Sequence, residues 1–70
     1  MTELVLIVLI RSKDDEPQTL LVQGLHQGSV VTMHDMPFDP LRVEDMRDDV
    51  SALVARAWDA LAAYIKATNG

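Results

Sequence analysis

His34, Asp35 and Asp39 make the nearest approach to a metal or acid–base cluster that the chain offers. A transition-metal site wants three or four convergent ligands at coherent spacing. Alternation along a strand would instead send His34 and Asp35 to opposite faces. The expectation is therefore structural: Asp39 caps a helix, Asp35 opens a loop, and His34 is a polar surface residue. His26 stands beside Gln27-Gly28, a turn signal, and is expected in a solvated loop. Nucleophilic catalysis finds no support. There is no cysteine, and Ser12, Ser29 and Ser51 sit in no motif that would pair them with a base. Gly24, Gly28 and Gly70 do not form a phosphate-cradling loop. Neither an enzyme nor a cofactor nor a metal is expected.

The densest chemical feature is acidic: Asp35, Asp39, Glu44, Asp45, Asp48 and Asp49. Carboxylates favour the positive end of a helix dipole, and Arg42 and Arg47 are interleaved as local partners. The sharper alternative is a negative surface that engages a basic partner by salt-sensitive steering, with Glu44, Asp45, Asp48 and Asp49 as its contacts. The whole chain carries a net charge of −5, and its six basic residues are scattered. Direct nucleic-acid binding needs clustered Lys and Arg or stacking aromatics, and only Phe38, Trp58 and Tyr64 are aromatic. The apolar run Leu4–Ile10 is too short for a bilayer span, which takes about twenty residues. It also has no basic flank or cleavage site of a signal peptide. A cytoplasmic, membrane-free protein is the expectation.

These side chains must be carried by elements that the pattern makes legible. Residues 3–12 are aliphatic and β-branched without a break and read as a strand in preference to a short helix. Residues 13–17, KDDEP, read as a turn, 18–25 as a second strand, and 29–36 as a third after Gln27-Gly28. Short connections make an antiparallel meander. Asp39-Pro40 then reads as an N-cap followed by proline at the first helical position. Apolar residues from Val43 to Ile65 follow on one arc at 100° per residue, and Asn69-Gly70 ends the helix. The fold class is α+β: one domain over residues 1–70, a three-stranded antiparallel meander followed by one long amphipathic helix (βββα).

Two features of that layout are out of balance. A helix from residue 40 to 67 would be about 42 Å long, against about 27 Å for an eight-residue strand. Either it breaks near Glu44–Asp48 or its overhang packs on a second chain. Strand one should also alternate if a helix covers only one face. Leu4, Leu6, Val8 and Ile10 can face the helix, yet Val5, Ile7 and Leu9 on the other side are equally apolar. Burial of roughly 4,000 Å² of apolar surface contributes on the order of 100 kcal/mol. Ordering seventy residues costs about as much, so the chain needs further support. A homodimer is the expected remedy, through sheets packed face to face or through paired first strands, with Val5, Ile7 and Leu9 at the contact. Trp58, at the margin of the helical arc, is either an interface anchor or a core residue.

The order of three strands and a helix ending in VSALVARAWDALAAYI resembles HicB-type antitoxins over residues 18–66. Their usual Pro-Asp and Pro-Gly signals before the helix are not matched by HDMPFDP. The resemblance implies an inhibitor that occludes a small RNase toxin. The functional expectation is broader: an acidic, non-enzymatic interaction module that regulates or inhibits a larger protein stoichiometrically, as antitoxins and phage or mobile-element inhibitors do. The alternative is a structural subunit of an obligate hetero-oligomer.

Overall fold

A computed structural model describes residues 3–69. Strands β1 (Leu4–Lys13), β2 (Glu16–His26) and β3 (Ser29–Pro37) form an antiparallel sheet in sequence order, and helix α1 (Arg47–Asn69) follows. The βββα architecture is as the pattern predicts. Gly70, which the sequence assigned to the helix end with Asn69, lies outside the described residues.

Two short turns set the registers. Asp14-Asp15 joins β1 to β2, and Gln27-Gly28 joins β2 to β3 with φ of 53° and 82°. Two successive positive φ values define a turn whose twist matches the flanking strands, and glycine at the second position makes it inexpensive. β2 pairs with β1 from His26↔Leu4 to Thr19↔Arg11, and with β3 from Thr19↔Pro37 to Gly24↔Thr32. The second ladder then shifts, leaving Val31 as an extra residue on β3. Pro17, which cannot donate to a ladder, sits where the first ladder shifts beyond Arg11.

Of the two arrangements open for the segment from residue 40, the structure has the break: the helix is divided just before Arg47. Pro40–Arg42 form a single 3-10 turn, capped by Asp39, whose Oδ1 accepts from the Leu41 N–H at 2.9 Å. Residues 43–46 turn again before α1 begins at Arg47. Asp39 thus caps the short turn and not the main helix. Electrostatics contributes to the break. A continuous helix would stack Glu44 over Asp48 and Asp45 over Asp49, two like-charged pairs at i,i+4. Met46 instead drops into the interior, and Asp48 and Asp49 occupy the first turn of α1, where the dipole favours them. Replacing Asp39 with Ala should lower stability by about 0.5–1 kcal/mol, readable as a shifted urea midpoint with an unchanged slope; an unshifted midpoint would mean the cap contributes nothing.

With 23 residues α1 is about 34 Å long, and the 11 residues of β2 span about 36 Å. The expected length mismatch disappears. The imbalance lies across the sheet instead. α1 packs against β3 and β2, and the core is Leu20 and Val22 of β2 against Leu53 and Ala57 of α1, flanked by Leu6, Met36, Phe38, Val50 and Val54. On the same side, Leu4, Val8 and Ile10 of β1 remain 47, 50 and 48% exposed. One helix is about 10 Å wide and cannot cover three strands spaced about 4.8 Å apart when it sits over two of them.

Candidate interaction surfaces

Register sorts the strand residues into two faces, since directly paired residues point the same way. The helix side carries Leu4, Leu6, Val8 and Ile10 from β1, opposite His26, Gly24, Val22 and Leu20. The other side carries Val5, Ile7 and Leu9, opposite Leu25, Gln23 and Leu21, with Val30, Met33 and Asp35 beyond them on β3. No element of the described chain covers this second face. Leu21 is still buried, shielded at the centre by its neighbours, but Val30 and Met33 are 51 and 60% exposed. Of the residues assigned to self-association, Val5 and Leu9 are exposed and Ile7 is half-buried, all three on this open face.

Trp58, assigned with them, is on the other side of the sheet. It is 63% exposed and so is not a core residue. With Leu4, Val5, Leu6, Leu61 and Ile65 it lines an open groove of about 430 Å³ between β1 and the C-terminal half of α1. Its walls are almost wholly apolar, with Lys66 at the margin. The four self-association candidates therefore belong to two surfaces that meet along one line, the outer edge of β1.

The acidic candidates lie close together along the chain. Glu44 and Asp45 stand on the turn before α1 and Asp48 and Asp49 on its first turn, all exposed. Arg42 approaches Asp45 at 4.0 Å, an exposed pair that contributes little stability. Beside them is a residue that the sequence reasoning missed. Leu41 is 92% exposed and Val43 53%, so this segment presents aliphatic side chains beside the carboxylates of Glu44 and Asp45. The available signal was Leu41 directly after Asp39-Pro40: a residue on a tight, capped turn cannot follow the helical arc into the core.

Both histidines depart from expectation. His26 ends β2 instead of lying in a loop, is half-buried, and meets Tyr64 edge-on with ring centroids 5.6 Å apart. His34 is half-buried and not solvated throughout. Paired with Val22, it lies under the helix, and its Nδ1 is buried without a hydrogen-bond partner, as is Oγ1 of Thr32 two residues earlier. His34 and Asp35 do occupy opposite faces. Among the described residues no group of three or more His, Cys, Asp or Glu could hold a metal ion, and no helix is long and apolar enough to cross a membrane.

Comparison with models of protein families, with curated proteins and with solved structures found no match. The likeness to HicB-type antitoxins is thus one of element order. What the geometry defines is a small α+β chain with a bare apolar edge and an acidic, leucine-bearing shoulder.

Proposed function

We propose that this chain is a small, acidic, non-enzymatic interaction module that acts stoichiometrically as a regulator or inhibitor of a larger protein, and that it works as a homodimer. The observation that carries the reading is the apolar surface left uncovered on so small a protein: Leu4, Val8 and Ile10 on one side of β1, and Val5 and Leu9 on the other. Contiguous exposed apolar surface of this kind marks sites of association. Such a module, of the phage, mobile-element or antitoxin type, would act in the cytoplasm.

The acidic shoulder is the surface offered to the larger protein. Leu41 supplies an apolar anchor, and Glu44, Asp45, Asp48 and Asp49 supply a field that steers a basic surface toward it. Reversing Asp45 and Asp48 together to Lys should weaken capture of the partner at least about tenfold, more so at low salt, without changing the oligomeric state. Affinity capture from the native host, with wild-type and reversed chains compared by quantitative mass spectrometry, makes the measurement. Equal capture by the two chains would remove the acidic shoulder from the interface.

The open face of the sheet favours one other reading. Val30 and Met33 extend that face toward β3, away from the β1 edge, which suits an unlike chain in an obligate hetero-oligomer. Light scattering on the purified protein separates the two: a stable dimer supports the module, while a monomeric or aggregating product supports the subunit.

A further inference from the structure

The surface of the chain is 5277 Å², whereas a compact protein of 7.8 kDa has about 4,400 Å². The radius of gyration is 13.7 Å, against about 11 Å expected for seventy residues. The excess surface, about 900 Å², is close to the roughly 800 Å² that each partner contributes to a stable protein interface. The chain has the surface of half an assembly.

The two edges of its sheet are not equivalent. β3 carries the extra residue Val31, the charged Asp35 and Pro37, all devices that discourage another strand from pairing. β1 has neither charge nor proline from Leu4 to Ile10. The backbone direction along β1 follows from one bond: the Gln27 N–H donates to the Glu3 carbonyl at 3.1 Å. Glu3 therefore turns its backbone toward β2, and by alternation Val5, Ile7 and Leu9 do the same. The N–H and C=O groups of Leu4, Leu6, Val8 and Ile10 point outward from the free edge.

We propose that two copies of the chain join through these edges, β1 against β1 in antiparallel order about a two-fold axis at Ile7, to form one six-stranded sheet. This rests on the homodimer reading above and specifies its geometry. Only residues with outward backbone can form hydrogen-bonded pairs, so the possible registers are few. Centring the axis on Ile7 pairs Leu4 with Ile10 and Leu6 with Val8, each exchanging both N–H···O bonds. On the opposite face it pairs Val5 with Leu9 and Ile7 with its own copy. It also sets Glu3 against Arg11 at both ends, so that the charges flanking the apolar pairs are opposite. Shifting the axis to Val8 would put Arg11 against Val5 and Ser12 against Leu4; shifting it to Leu6 would shorten the ladder. Both the apolar pattern and the charges select Ile7. On the helix side the second copy's Val8 and Ile10 then fall beside Leu6 and Leu4, at the groove where Trp58 stands 63% exposed.

The absence of cysteine makes the register directly measurable. At the axis, Ile7 faces its copy in a non-hydrogen-bonded pair, whose Cα atoms lie about 4.5 Å apart, within disulfide range. Ile7→Cys should form an intermolecular disulfide quantitatively under mild oxidation. Val5→Cys alone should not, but should cross-link to Leu9→Cys when the two chains are mixed. Independently, Glu3→Arg or Arg11→Glu should each raise the dimer dissociation constant roughly tenfold, and the double exchange should restore it. A light-scattering dimer in which Ile7→Cys stays reduced and the charge variants behave as wild type would overturn the edge geometry while leaving self-association standing; sheets packed face to face lie about 10 Å apart, too far for that disulfide. A monomer at all concentrations would overturn both. The exposed Glu3 and Arg11 variants keep the outcome readable if the cysteine chains fold poorly.

Discussion

Val22→Asp is expected to abolish folding. Val22 is completely buried, at the centre of β2 where Leu53 and Ala57 close over it. A carboxylate there would be enclosed by apolar side chains, with Leu53 and Ala57 packed over it and Val8 across the strand. Burying an unpaired ionised group costs several kcal/mol even after the surroundings relax. A single core in a chain of this size rarely supplies more than about 3–5 kcal/mol. The expected readout is loss of the cooperative thermal transition followed by far-ultraviolet circular dichroism. Val22→Ala, which leaves a cavity without adding charge, should lower the melting temperature but keep the transition. A cooperatively melting Val22→Asp protein would mean that α1 does not close over β2 as described.

Gly24→Val has the next largest expected effect, for a steric reason. Gly24 does not have a positive φ, so the backbone would accept a side chain, and strand preference favours valine there. The space does not. A Cβ at this position would overlap Oγ1 of Thr32 and stand 3.1 Å from Cδ1 of Leu61. Gly24 is the point where α1 comes down onto the sheet beyond Val22. Overpacking of this kind typically costs about 1–3 kcal/mol, a large share of the total for so small a domain. Denaturant unfolding should show the loss. Thr32→Ala should recover part of it, because Oγ1 of Thr32 is already without a hydrogen-bond partner and little is lost by removing it. The two substitutions should therefore be non-additive. A Gly24→Val chain as stable as the wild type would place the helix farther from the sheet.

The strands were legible because each is a run of aliphatic or alternating residues bounded by Asp-Asp or by Gln-Gly, and turn chemistry of that kind is local. Their ends were not: β2 begins at Glu16 and not at Gln18, because a shift in the ladder accommodates Pro17 within the strand. The helix was legible from Val50 to Ile65. Its start stayed open between an unbroken helix from residue 40 and a break near Glu44–Asp48, because Asp39-Pro40 is equally good chemistry for a short 3-10 turn, and the i,i+4 repulsions that disfavour continuity are pair effects that a list of apolar positions does not contain. His26 and His34 were misplaced for a related reason. Their polarity suggested solvent, but cross-strand registers against Leu4 and Val22 assign both to the side where α1 lies.

The sequence by itself determined the four elements, their order, the apolar excess of β1 and the acidity around residues 44–49, since each depends on residue type and on spacing within a few positions. Only the tertiary structure decided where the excess lies. Helix and sheet match in length; the helix sits over β2 and β3, and apolar surface stays uncovered along the free edge of β1 and across the face opposite the helix, where Val30 and Met33 also stand exposed. That choice depends on which side of the sheet receives the helix and over which strands it rests. Periodicity fixes the face a helix buries, but the strands beneath it are chosen by the close approach at Gly24, the buried Val22 and the path of the chain through residues 38–46.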